Sequence, residues 1–267
     1  MEEQLRFEQA ISLLPPSWQD ALAGREAAQV HERMGGAAVF RLEDPAGGCQ
    51  YLKLARGPEA EPLAQEIVRT EWLSRHHLRV PEFLMQVCTA DVTAVLMTAV
   101  AGRHLVPGTP DVPAAASTIG RGLARLHALP AADCPFDETI QIRMQRARDA
   151  IDRNVIDASQ FDGRNAGVSP AALYERLART MPARDDLVVV HGDATLANLM
   201  IGPDGELGFI DCGNAGRSDR YVDLAVIEAE LRTGFGPEAA RSFAAAYGVR
   251  AWDEQKAAFF LDLYELF

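Results

Sequence analysis

The chain has 267 residues, 48% hydrophobic and 24% charged, which suits one large globular domain or two modest ones and excludes disordered and fibrous classes. Its apolar runs are short, as at residues 187–190, far below the roughly 18 residues of a membrane-spanning helix. The opening Met1, Glu2 and Glu3 are acidic, so no secretory signal is read and a cytoplasmic protein without a membrane role is expected.

Lys and Arg number 26 against 38 Asp and Glu, a net charge of −12 with no basic stretch, which disfavours binding to a nucleic-acid backbone. The cysteines, Cys49, Cys88, Cys134 and Cys212, form no C-x-x-C pair and suit neither a zinc site nor a disulfide framework, so they read as small buried apolar residues.

In chain order, residues 29–34, 38–42 and 49–54 read as strands, with turns at Gly35-Gly36 and at residues 45–48. Residues 61–75 carry Leu63, Ile67, Val68, Trp72 and Leu73 at helical spacing, and residues 83–88 and 93–100 return to strand character. Beyond Ala101-Gly102 the spacing predicts helices over 114–129, 138–151, 170–180, 219–231, 237–247 and 253–267. These are interrupted by the apolar patch 187–190, a loop, residues 199–201, a turn at 203–205 and residues 207–210, while residues 162–168 read as an exposed loop. The expected architecture is a small sheet-rich lobe joined near residues 98–102 to a larger, mostly helical lobe.

Only two of the basic residues are lysine, Lys53 and Lys256, so Lys53 stands out inside an apolar strand. Alternation puts it on the face opposite Leu52 and Leu54, where a compact ammonium can act as a point charge on phosphates. A solvent-facing strand residue is the plain alternative. Glu66 on the following helix is a candidate partner.

More specific is the run from His191 through Gly192 and Asp193 to Asn198, which directly follows a buried strand, with Asp211 ending another strand across a short turn. A carboxylate that accepts a hydroxyl proton, plus an amide oxygen and a second carboxylate for magnesium, is the minimum set for phosphoryl transfer from a nucleotide. Asp193 suits the first role, and Asn198 and Asp211 the other two. Asp219 and Asp223 read as an N-cap and a first-turn acid or as braces of this loop, and His127 as a packing histidine within an apolar helix.

His191-Gly-Asp193, Asn198, Gly208-Phe-Ile-Asp211-Cys-Gly213 and Asp219-Arg-Tyr-Val-Asp-Leu-Ala225 resemble the signature of the aminoglycoside phosphotransferases. The likeness extends through Cys134-Pro-Phe136, the strand of Lys53, Glu66 with Trp72, and the ending Glu265-Leu-Phe267, from about Met34 to the last residue. It is nearest to the enzymes that phosphorylate the 3'-hydroxyl of kanamycin and neomycin. The resemblance implies an α+β, two-lobed protein-kinase-like fold: a nucleotide-binding lobe over residues 1–98, a hinge at 99–102, and a catalytic and substrate-binding lobe over 103–267.

The resemblance further implies ATP and magnesium (Mg2+), with Lys53 on the α- and β-phosphates and Glu66 holding it. Asp193 would be the catalytic aspartate, with Asn198 and Asp211 on the metal. The turn at Met34, Gly35 and Gly36 would cover the phosphates, and the backbone around Thr98 to Val100 would meet the adenine. Carboxylates for the ammonium groups of an aminoglycoside would come from Glu265, the α-carboxylate of Phe267, Asp162 and Glu230. A small-molecule acceptor and a monomer or weak dimer are expected.

Two departures bear on substrate range: Asn214 stands where the family usually has an arginine, and Tyr264 where it has an aspartate. Other readings are a streptomycin 3''-kinase, a kinase of another small amino alcohol, and a nucleotide-binding regulator without turnover.

Overall fold

The computed structural model describes residues 6–33, 37–43, 47–161 and 163–267, which divide into two compact units, Met1–Ala101 and Gly102–Phe267. Met34, Gly35, Gly36 and Asp162 lie outside the described residues.

The first unit opens with two short helices, α1 (Phe7–Ser12) and α2 (Pro16–Leu22), which the sequence reading did not anticipate. Strands β1 (Ala27–Arg33), β2 (Ala37–Glu43) and β3 (Cys49–Arg56) follow, then helix α3 (Ala60–Arg75) and strands β4 (Phe83–Cys88) and β5 (Val92–Thr98). They form one antiparallel sheet in the order β1-β2-β3-β5-β4. Period-2 alternation gives the sheet two apolar faces. Phe40, Leu42, Leu52, Leu54 and Leu96 pack against Leu14, Trp18 and Leu22 from the two opening helices. Ala55, Val95 and Met97 pack instead against Leu63 and Ile67 of α3.

The second unit is mostly helical, with α4 (Val112–His127), α5 (Ile140–Asp152) and α6 (Pro170–Thr180) preceding strand β6 (Leu187–Val190). Strands β7 (Leu199–Ile201), β8 (Leu207–Phe209) and β9 (Gly216–Asp219) come next, then helices α7 (Tyr221–Phe235), α8 (Pro237–Tyr247) and α9 (Glu254–Tyr264). β6 pairs with β9 and β7 with β8, both antiparallel. Gly120 lets α4 approach α8 closely, because a Cβ there would lie 2.9 Å from Tyr247 N. One apolar core gathers Met144, Leu173, Leu177, Val190, Phe260 and Leu263.

Three details differ from the sequence reading. Residues 216–219 are strand, so the helix expected from 219 begins at Tyr221. α9 stops at Tyr264, which leaves Glu265 and Phe267 beyond its last residue. Cys134 and Cys212 are buried, but Cys88 is exposed, since strand β4 turns alternate residues to solvent, and Cys49, which opens β3, is half-buried. No described helix is long and apolar enough to cross a membrane.

Candidate active site

In the first unit, Lys53 sits on the central strand β3, paired with Val39 of β2 on one side and Val95 of β5 on the other. Its Nζ lies 2.6 Å from Glu66 Oε1, with the side chains 15% and 20% exposed. A lysine held between two paired strands and a helix carboxylate has little freedom, so its charge has a fixed address. At the end of β5 the Thr98 N–H donates to Glu82 O at 2.9 Å and the Ala99 N–H to Cys49 O at 3.0 Å. Val100 is buried.

In the second unit, β6 ends at Val190 and delivers His191, Gly192 and Asp193 into a loop held from three sides. From below, the buried Asp223 carboxylate of α7 accepts from His191 N at 2.7 Å, Gly192 N at 2.9 Å and His127 Nε2 at 3.0 Å. Burial pushes the Asp223 carboxyl up, but the hydrogen bonds it accepts from His127 and from the His191 N–H outweigh this and hold the carboxyl below its ordinary value. His127 is itself fixed, because Tyr247 OH lies 2.8 Å from its Nδ1 and accepts from Arg220 Nη1 at 3.2 Å. Burial raises the Tyr247 phenol to about 12 against the opposing charge of Arg220, so it remains a donor.

From the side, Arg143 of α5 donates through Nη2 to Gly192 O at 3.2 Å and through Nε to Glu138 O at 3.3 Å. Burial draws this guanidinium down, and the carboxylate of Glu138 opposes the shift. Gly192 has φ +85°, and a Cβ there would come 2.7 Å from Arg143 Nη2, so the residue before Asp193 has to be glycine.

The third hold is Ile210. Its carbonyl accepts from His191 Nε2 at 2.9 Å, and its N–H donates to Asn198 O at 3.0 Å. His191 Nδ1 accepts from Asp193 N at 3.3 Å, the pattern of the Nε2–H tautomer. Asn198 ends the 3-10 turn Leu196–Asn198 and donates from Nδ2 to Asp193 O at 2.9 Å and to Asp193 Oδ2 at 3.1 Å. That orientation turns its Oδ1 away from Asp193. Asp211, next after Ile210, takes the left-handed conformation at φ 56°, ψ 50° and opens the turn Cys212–Asn214. A non-glycine residue held there carries strain, which concentrates at functional sites.

The structure thus joins Lys53 with Glu66, and Asp193 with Asn198 beside the Ile210–Asp211 corner. Glu230 also reaches this loop, its Oε2 accepting from Leu196 N at 2.6 Å. Burial raises the Glu230 carboxyl, the Leu196 N–H opposes this, and the negative charge of Asp193 adds to the rise. Glu265 accepts from Asn165 Nδ2 at 3.4 Å. Phe267 is 61% exposed, its ring centroid 6.0 Å from the Arg143 guanidinium carbon.

Sequence reasoning missed the contact of Tyr264 OH with Asp193 Oδ1 at 3.1 Å, and it missed Arg143. His127, read as a packing histidine, is buried with both ring nitrogens hydrogen-bonded and links Tyr247 to Asp223. Asn198 Oδ1 and the Asp211 carboxylate are hard oxygen donors of the kind magnesium selects, so this donor set fits the metal that the motif implies.

The profile of the phosphotransferase enzyme family matches residues 8–260. An aminoglycoside 3'-phosphotransferase of Escherichia coli is 32% identical over 263 residues, 97% of this chain and 96% of the relative. A solved aminoglycoside-3'-phosphotransferase of type VIII superposes with a TM-score of 0.86 at 31% identity, covering 97% of this chain and 98% of that one. An aminoglycoside phosphotransferase from Streptomyces rimosus, solved with ADP and streptomycin, gives a TM-score of 0.76 at 30% identity over 91% of this chain and 92% of its own.

Proposed function

Because the chain belongs to the phosphotransferase enzyme family, we propose that it transfers the γ-phosphoryl group of ATP to the 3'-hydroxyl of a kanamycin- or neomycin-type aminoglycoside. The observation that supports this most is the hydrogen-bonded corner at Ile210, which ties His191 and Asn198 together one residue before Asp211. Phosphoryl transfer needs little covalent help from a protein and depends on positioning and charge.

In this reading Asp193 accepts the proton of the attacking hydroxyl as the new oxygen–phosphorus bond forms and the bond to the β–γ bridging oxygen breaks. Asn198 keeps that carboxylate oriented through Nδ2, and its Oδ1 with the Asp211 carboxylate would hold the metal when it binds. Magnesium bound by these two oxygens would supply charge neutralisation for the phosphates. Lys53, fixed by Glu66, meets the α- and β-phosphates. With the N–H groups of Thr98 and Ala99 already committed, Val100 N–H is the backbone donor left for the adenine. Glu265 and Glu230 supply carboxylates for the ammonium groups of the sugar, and modification of the drug in the cytoplasm would confer resistance.

Similarity to the Streptomyces rimosus protein solved with streptomycin favours a second reading, a streptomycin 3''-kinase. Release of ADP, followed by coupled assay with kanamycin, with streptomycin and with no acceptor, separates the two. Phosphorus and proton NMR of the product then locates the phosphate. Turnover confined to streptomycin would replace the first reading by the second, and no acceptor dependence with either drug would reject both.

A further inference from the structure

The two oxygens of the Asp193 carboxylate have different partners. Oδ2 accepts from Asn198 Nδ2, and Oδ1 accepts from the hydroxyl of Tyr264, each at 3.1 Å. Oδ1 is therefore the oxygen an incoming hydroxyl can claim without disturbing Asn198, and a phenol already sits on it. Tyr264 is the last residue of α9 and is 40% exposed. Tyr264 also lines, with Arg143, Val222, Phe260, Leu263 and Phe267, a cavity about the size of one water molecule; it is the exposure of Tyr264 to solvent that lets its hydroxyl leave Oδ1 without repacking the core. Burial, reinforced by the charge of Asp193, raises the phenol above its ordinary value and keeps the proton on its oxygen.

We propose that Tyr264 is a positioning residue that caps Oδ1 of Asp193 until an acceptor hydroxyl displaces it, and so restrains transfer of the phosphoryl group to water. The inference rests on the kinase reading above. The restrained reaction is hydrolysis: a water oxygen bonds to the γ-phosphorus, the bond to the β–γ bridging oxygen breaks, the water proton passes to Asp193, and ADP and phosphate leave. An acceptor bound in place supplies its own hydroxyl to Oδ1 and exchanges one hydrogen bond for another.

Tyr264→Phe keeps the ring and removes the hydroxyl. With ATP, magnesium and no acceptor, ADP release by this variant should rise about tenfold over wild type, the scale of one hydrogen bond to a charged group. The KM for kanamycin should fall about threefold, since the acceptor no longer competes with the phenol, while kcat stays within about twofold. A second measurement needs no variant: tobramycin, which lacks the 3'-hydroxyl, leaves Tyr264 on Oδ1 and should not stimulate hydrolysis by the wild-type enzyme.

Hydrolysis within about twofold of wild type in the variant overturns the cap, and so does stimulation of wild-type hydrolysis by tobramycin. So does a parallel fall of hydrolysis and transfer in a variant that melts as wild type does. If wild-type enzyme ignores kanamycin and streptomycin but hydrolysis still rises in Tyr264→Phe, the cap stands and the aminoglycoside reading fails.

Discussion

Replacing Asp223 by asparagine tests whether the buried carboxylate, more than the loop sequence, holds the proposed catalytic aspartate in place. The substitution preserves shape, removes the charge that three donors share, and turns one accepting oxygen into a competing N–H. Charge-assisted hydrogen bonds are roughly twice as strong as neutral ones and worth about 1.5–3 kcal/mol each. Halving three of them and leaving one buried donor unpaired amounts to about 4 kcal/mol, inside the range for breaking a buried charged pair. For a chain of this size that is about 10 °C in Tm. Because His191 and Gly192 immediately precede Asp193, kcat should fall about tenfold or more, with the KM for ATP little changed.

The pH dependence adds an independent check. The folded Asp223 carboxyl lies below its ordinary 3.8, since the hydrogen bonds it accepts outweigh burial. Its contribution is therefore fully present above that value and is lost as pH falls through the lower folded value. Thermal melts of wild type and Asp223→Asn should stay separated by the same interval from about pH 8 to pH 5 and converge below about pH 4. A separation under about 2 °C at neutral pH, or one that widens in acid, would refute the reasoning.

Asp193→Ala should lower turnover by about 100-fold or more with nucleotide affinity nearly unchanged, as read by coupled ADP release and by nucleotide titration; retention of a tenth of wild-type turnover would remove it from the proton-accepting role. Lys53→Ala should raise the KM for ATP more than that for kanamycin, and Lys53→Arg should rescue only part of the loss because a planar guanidinium is larger and differently hydrated; unaltered ATP kinetics would return Lys53 to a plain strand residue. Glu265→Gln should raise the KM for kanamycin at unchanged Tm, and identical kinetics would take that charge out of the acceptor site.

What the sequence made legible follows the range of the interaction responsible. Lys53 could be found because strand alternation is local and the chain has only one other lysine, Lys256. The three polar residues of the loop and corner, Asp193, Asn198 and Asp211, were visible because their types and spacing occur together within 19 residues of sequence, from 193 to 211. Helices α1 and α2 were missed because 6 and 7 residues are too few to display a 3.6-residue period, and Pro16 opens α2 at a position where proline is tolerated. Strand β9, Gly-Arg-Ser-Asp, has no apolar residue at all, and its extended form comes from pairing with β6. Arg143 and Tyr264 act across 49 and 71 residues of chain, separations over which a single sequence carries no signal.

Those long-range contacts also explain where part of the acidic excess goes. Among the described residues of the second unit, the buried acids are Glu138, Asp219, Asp223 and Asp262. Glu138 takes both terminal nitrogens of Arg146, at 2.6 and 2.9 Å, while the backbone oxygen of Glu138 steadies Arg143. Asp219 accepts from Asp186 N and Tyr221 N and pairs with Lys256, near the start of α9. Asp262, near the end of α9, pairs with Arg164 at 2.6 Å and Arg176 at 3.1 Å. Such pairs add little net stability compared with apolar residues but are costly to break, so their effect is to restrict geometry. α9 is thereby pinned near both ends, and the residue that follows Asp262 by two is Tyr264, on the proposed catalytic carboxylate. The same kind of buried carboxylate that holds His191 and Gly192 from below thus holds the cap from above, and Asp193 lies between two elements whose positions are set by ion pairs and hydrogen bonds far from it in sequence.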